Sequence, residues 1–194
     1  MKEQIRQRLL FLKTIGFNYV CDSDIYLKNK ANFNNLASLN LQIKSCALCN
    51  LKNISTNIKI GTGSTQNPII IVSFLPNNNN FNDIIEILSK KYANFYLTSV
   101  IKCNASTANM EHTAQCKPYL LDEIDMLKPK FIITLGARCL KSLISNINFD
   151  DVRGNFLKYK NFSIMPIYSF EKISKNPSLK QVFLSDLDRL KERL

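Results

Sequence analysis

Cys46 and Cys49 form a CxxC pair, and Cys103 and Cys116 follow far downstream. A deprotonated sulfur is a soft donor, so four of them can complete a tetrahedral zinc site or hold an iron–sulfur cluster. A structural zinc site is usually assembled from two close ligand pairs, and only Cys46 and Cys49 make one here. Iron–sulfur clusters accept more scattered delivery. Four unrelated buried thiols are the third reading, because free cysteine is among the most buried residue types. His112, just upstream of Cys116, could replace one thiol in a Cys₃His site, although a lone histidine beside a ligand is more often incidental. Cys139 reads as core filler on a helix, and Cys21 carries no assigned role.

The elements that must position these residues follow from hydrophobic periodicity. Four apolar, β-branched runs read as buried strands: residues 68–76, 94–102, 130–136 and 162–169. Helical patterns lie before and between them. They fall at residues 3–15, ending at Gly16, and at 32–45, leading straight into Cys46. Further patterns span 82–91, 117–128 with Pro118 in the first turn, 137–145 and 178–194. Asn77 to Asn80 is a polar loop directly after the first strand. Alternating strands and helices predict a three-layer α/β/α sandwich with a central, mostly parallel four-stranded sheet. The expected organisation is a single domain over 1–194, with residues 1–45 as a helical segment packed on it. In open parallel sheets, ligands bind outside the carboxyl ends of the strands. Those ends are Leu75–Pro76, Lys102–Cys103, Gly136 and Tyr168–Ser169, and a site should form there.

Composition narrows the function class. The chain has 194 residues, 45% hydrophobic, with no run near the roughly 18 apolar residues of a membrane span. The N-terminus mixes charges through its apolar positions, unlike a signal peptide. A cytoplasmic protein is expected, and six cysteines in a reducing compartment favour metal binding, catalysis or packing over disulfides. The formal net charge of +11 attracts polyanions, although it also reflects a bias toward Lys, Asn and Ile.

Seven stretches in order are similar to one family. They are LKTIGFNYV, SCALCNLKN, GTGSTQNPIIIVSFLP, TSVIKC with QCKPYLLDEI, KPKFIITLGARCLKSLI, VRGNF and SKNPSLKQVFLSDLDRL. The chain resembles the iron–sulfur, family 4-like uracil-DNA glycosylases from end to end. The resemblance implies a 4Fe–4S cluster on Cys46, Cys49, Cys103 and Cys116. It also implies a DNA-binding sandwich that extrudes a uracil and cleaves its glycosidic bond.

At three places the chain departs from the family's pattern. The loop after the first strand normally reads G-E-A-P-G, whose acid positions the attacking water; here it reads Ser73-Phe74-Leu75-Pro76-Asn77. The polar segment that follows is shortened to NNNNF, leaving Phe81 as a stacking face or a core residue. An asparagine that reads the uracil edge normally ends the second strand; Ser99 stands there, and one hydroxyl cannot reproduce an amide's paired donor and acceptor. The loop after the last strand normally carries H-P-S; here Ser169-Phe170-Glu171 replaces it. Losing one preorganised donor to a developing anion costs about 2.7–4 kcal/mol, so three losses together predict little remaining chemistry. Glu171, Asp83 and Glu86 are the carboxylates that could compensate.

The binding machinery reads as better kept. Lys172, Lys175 and Lys180 surround the closing loop, Lys102 precedes a cluster cysteine, and Arg153-Gly154 resembles a DNA-facing turn. These five basic residues are the expected phosphate contacts on single- or double-stranded DNA. The leading expectation is an iron–sulfur DNA-binding protein with weak or lost glycosylase activity. The alternatives are an active glycosylase with a non-standard residue set, and a platform for a protein partner.

Overall fold

The computed structural model describes residues 35–66, 68–76, 86, 90, 92 and 94–193. The chain divides into two compact units, Met1–Asn32 and Phe33–Leu194, and the description concerns the second. The expected helix at 3–15, the loop at 77–80, Cys21, Phe81 and Asp83 lie outside the described residues. Of the helix expected over 82–91, Glu86 and Lys90 are described; both are helical and paired at 2.6 Å.

Six strands form one sheet: β1 (Thr62–Gly63), β2 (Ile69–Ser73), β3 (Phe95–Ser99), β4 (Phe131–Leu135), β5 (Leu157–Tyr159) and β6 (Phe162–Ile167), in the order β1-β3-β2-β4-β6-β5. The four central strands are parallel and are the four apolar runs of the sequence. The expected count of four is corrected to six by β1 and β5, which add antiparallel to the two edges. Both are too short to carry a hydrophobic pattern. Pro166 sits inside β6 without disrupting the sheet. Its carbonyl accepts from the Gly154 N–H at 2.7 Å, so the side that lacks an N–H faces this turn and not β4.

The helices are α1 (Leu36–Lys44), α2 (Leu51–Ile54), α3 (Thr113–Leu127), α4 (Ala137–Leu143), α5 (Phe149–Val152), α6 (Phe170–Lys175) and α7 (Leu179–Lys191). Side chains alternate across the parallel strands and divide the core in two. Ile70, Val72, Ile132 and Ile164 face Leu120, Ile124 and Leu127 of α3 and Leu140 of α4. Ile71, Leu97, Ile133 and Met165 face Phe183, Leu187 and Leu190 of α7, where the Tyr92 hydroxyl donates to the Leu187 carbonyl. This is the expected α/β/α layering. A smaller cluster packs Leu39 and Ile43 of α1 on Tyr119 of α3.

The α3 helix begins at Thr113, earlier than its apolar pattern suggests, so Pro118 is interior. The reason lies upstream. Asn109 caps a 3₁₀ turn at Met110–His112 that runs straight into the helix. That early start puts Cys116 inside the first turns of α3.

The crossovers set the site. The chain passes from β2 to β3 on one side, then returns to place β4 on the other side of β2. This reversal is a topological switch point, where the connections on either side diverge and leave a crevice at the carboxyl ends.

Candidate functional site

Two functional regions lie at the ends of the strands: a corner of four thiols and an open pocket. The corner is assembled by three ties. Residues 56–59 run beside 102–104, through Lys59 N–H to the Lys102 carbonyl at 2.8 Å and Asn104 N–H to the Asn57 carbonyl at 3.0 Å, with Ile58 opposite Cys103. The α1 helix, capped by the Asn35 side chain, delivers Cys46 while its apolar face packs on α3. His112 is the third tie. Its ring lies 2.8 Å from Asn109 Oδ1 and 3.2 Å from Asn50 Oδ1, joining the entry of α3 to the residue after Cys49. Nδ1 also accepts from the Asn109 backbone N–H at 3.3 Å, so His112 braces the corner.

Cys103 and Cys116 are buried, whereas Cys46 and Cys49 are half-buried. All four are electrostatic neighbours. Burial first, and then the Cys116, Cys49 and Cys46 thiolates, push the Cys103 thiol up to about 11, against the pull of the Lys52 ammonium. Cys116 is also raised, chiefly by burial, while the Lys102 backbone N–H supports its anionic form. The Tyr119 hydroxyl is kept protonated by burial and by its hydrogen bond to Cys46. Among the described residues, no group of three or more His, Cys, Asp or Glu is gathered tightly enough to hold a metal ion. The thiols thus sense one another's charge without closing on one point.

Lys102 requires a correction. It was expected on the DNA surface, yet it is 2% exposed. Its ammonium lies 2.7 Å from Glu123 Oε2 and 2.7 Å from Thr98 Oγ1, and the Thr98 hydroxyl donates to the same carboxylate at 2.6 Å. The side chain of the residue before Cys103 turns inward, where α3 presents Glu123. An ammonium held this way cannot reach a phosphate. Among the described residues, Glu123 Oε1 and the Tyr96 hydroxyl nearby have no hydrogen-bond partner, and burial followed by the Glu123 charge raises Tyr96. Thr98 and Glu123 escaped sequence reasoning, because a Thr in a strand and a Glu in a helix carry no sign of burial.

The pocket occupies the switch point, with a volume of about 410 Å³. Its walls come from Ser73 to Pro76 after β2, Asn104 to Ser106 beyond β3, Leu135 to Arg138 after β4, and Ser169 to Glu171 after β6. Three of the four expected strand ends therefore meet. The fourth is displaced from Lys102–Cys103 to the residues that follow. Gly136 permits the closure: its φ is +87°, and a side chain there would stand 3.0 Å from Ser169 Cβ.

The three degenerate positions have distinct fates. Phe74 lines the pocket beneath the Arg138 guanidinium, 4.6 Å from ring centroid to Cζ. Ser99 is buried, donates to the Ile101 carbonyl at 2.7 Å and does not line the pocket. Ser169 lines it and caps α6, its side chain accepting from Lys172 N–H. Glu171 lines the rim and pairs with Arg138 at 3.4 Å, whereas Glu86 is exposed on its helix. Arg138 was missed in the sequence. Its one signal is a cation in the first turn of a helix, where the backbone dipole disfavours it.

Of the expected phosphate contacts, Arg153 and Lys172 converge on the Tyr168 ring, at 5.0 and 4.6 Å. Arg153 is also held by Asp186 at 2.6 Å, across the Gly154 turn. Lys175 and Lys180 are exposed on either side of Asn176–Pro177. Cys139 is buried and donates to the Val72 carbonyl. Among the described residues, no helix is long and apolar enough to cross a membrane.

A doubly wound parallel sheet with a pocket at its switch point and a thiol corner beside it defines a class of α/β ligand-binding domains. Residues 61–190 match the family described as the Uracil DNA glycosylase superfamily, and the chain belongs to it. The chain is 27% identical over 184 residues to the type-4 uracil-DNA glycosylase of Sulfurisphaera tokodaii, covering 81% of this chain and 84% of that one. It is 24% identical to the type-4 enzyme of Saccharolobus solfataricus, over 79% of this chain and 83% of that one. Against the type-4 enzyme of Thermotoga maritima the identity is 23%, over 77% and 90%.

Proposed function

We propose that this chain is a cytoplasmic, iron–sulfur DNA-binding protein of the uracil-DNA glycosylase superfamily whose glycosylase activity is weak or lost. The observation that carries the reading is a contrast inside one molecule. The four thiols share one corner, while the pocket offers Phe74 and Ser169 at positions where the family's pattern has an acid and a histidine. The curated relatives are named uracil-DNA glycosylases, which supports DNA as the partner and DNA repair as the setting. Arg153, Lys172, Lys175 and Lys180 are the phosphate contacts of this reading, and Lys102 is withdrawn from the set.

Cys46, Cys49, Cys103 and Cys116 would hold the 4Fe–4S cluster. The donor set fits: four soft thiols, two of them buried beside Leu51 and Leu120. When bound, the cluster would supply a rigid inorganic cross-link between the CxxC loop, the end of β3 and α3, and an electron-transfer centre. The chain's own residues tune that position through the Lys102 N–H at Cys116 and the Tyr119 hydroxyl at Cys46.

In the pocket, Phe74 and Phe170 offer apolar surface to an extruded base. Neither aromatic can activate a water. A second reading, an active glycosylase with a non-standard residue set, is favoured by Glu171, a carboxylate at the pocket's edge. Abasic-site formation on uracil-containing single and double strands separates the two. Traces or none are expected, and robust multiple turnover would overturn the proposal in favour of the second reading.

A further inference from the structure

The geometry points to Arg138 and Glu171 as a paired edge reader for the base in this pocket, selecting a ring N–H that stands next to a carbonyl. The inference rests on the pocket receiving an extruded base, and it names the residues that would sort such bases.

Three observations carry it. First, both groups line the same cavity, and its volume of about 410 Å³ lies within the roughly 300–1,000 Å³ of small-ligand sites. Second, Arg138 Nη2 and Glu171 Oε2 lie side by side at 3.4 Å, so a donor and an acceptor face the cavity together. That pairing has the same logic as a carboxamide, with full charges in place of partial ones. Third, Arg138 is supported from within the pocket: its guanidinium carbon lies over the Phe74 ring, 4.6 Å from the centroid. The helix dipole works against a cation in the first turn of α4, so Arg138 is held there by Phe74 and Glu171 and not by the helix itself.

The pair is cheap to open. Both side chains are at least half exposed, and exposed ion pairs contribute about 0–1 kcal/mol. A ligand that satisfies both groups therefore loses little by separating them and gains two charge-assisted hydrogen bonds. A lactam edge meets the requirement. Its carbonyl oxygen accepts from Arg138 while the adjacent ring N–H donates to Glu171. Uracil and hypoxanthine carry this edge, as do thymine and guanine among the ordinary bases. Cytosine in the same pose sets a bare ring nitrogen against the Glu171 carboxylate, and an abasic site offers neither group.

Ser99, the hydroxyl nearest in sequence to such a role, is committed to the Ile101 carbonyl. Ser169 is committed to capping α6. Among the lining residues Arg138 and Glu171 are the charged donor and acceptor, and the carboxamide of Asn104 already donates to Thr56 Oγ1 at 3.1 Å.

Fluorescence anisotropy with the full, cluster-loaded chain tests the inference. The probes are four single-stranded oligonucleotides of one sequence, built otherwise from adenine and cytosine alone, carrying uracil, hypoxanthine, cytosine or an abasic site at one position. Uracil and hypoxanthine strands should bind at least about fivefold tighter than the cytosine and abasic strands, the low end for a bidentate contact. Glu171→Gln, whose amide can offer a donor to the bare ring nitrogen, should erase or invert that preference. Arg138→Lys keeps the charge but loses the fork, and should halve the preference or more. Equal, salt-sensitive binding of all four strands, or a preference for cytosine, would overturn the edge reader and leave the DNA reading standing. No binding to any strand would overturn both.

Discussion

The thiol corner and the pocket lie on the same sheet but are built in opposite ways. The corner is braced from beneath by the buried Lys102–Glu123 pair and from outside by His112, with backbone ladders on either side of Cys103. The pocket is bounded by loops and short helices, and its charged pair is exposed. One region is suited to holding a group permanently, and the other to exchanging what it binds. On the proposed reading, the difference bears on how Ser169 can stand at a pocket loop while the thiols persist: a change there touches the cap of a short helix, whereas loss of a corner residue strands buried charge or thiols.

The largest expected effect tests permanence. Cys116→Ala should reduce cluster iron and sulfide to background in anaerobically purified protein. One equivalent of zinc with no iron in the unmodified chain would instead remove the iron–sulfur assignment. Next is the brace. Lys102→Met leaves the Glu123 carboxylate buried without its cation and should destabilise the fold by about 3–5 kcal/mol in urea unfolding. A Lys102→Met, Glu123→Leu double variant should recover most of that, since a buried pair often equals an apolar replacement. If Lys102→Met instead left stability intact and weakened DNA binding, the inward placement of Lys102 would be wrong.

Smaller effects are expected at the exchanging region. Lys175→Ala and Lys180→Ala should each flatten the log–log salt dependence of duplex binding by about 0.9, with little change in stability. Salt-insensitive binding would favour the protein-platform alternative. Smallest of all, Arg138→Ala should change stability by less than about 0.5 kcal/mol, because an exposed pair adds little. A loss comparable to that of Lys102→Met would mean that the two regions are not built differently.

The parallel strands were legible because their burial on both faces leaves continuous apolar runs, as in Ile69–Ser73. The thiols were legible by residue type alone. The edge strands were not, since Thr62–Gly63 and Leu157–Tyr159 are defined by their neighbours' hydrogen bonds rather than by their own pattern. Nor was the early start of α3, which depends on the Asn109 cap more than on periodicity.

What the sequence determined by itself was local: which runs are strands, which segments carry thiols, and which motif positions lack an acid, an amide and a histidine. Tertiary structure alone decided the rest. It turned Lys102 inward, because only the packed α3 supplies a carboxylate that makes a buried ammonium tolerable. It also brought Arg138 against Glu171, 33 residues away, because parallel strands end at one edge of a sheet and so deliver distant loops to a common rim. Neither result has a signature in local spacing, since both arise from the order in which the strands are laid down.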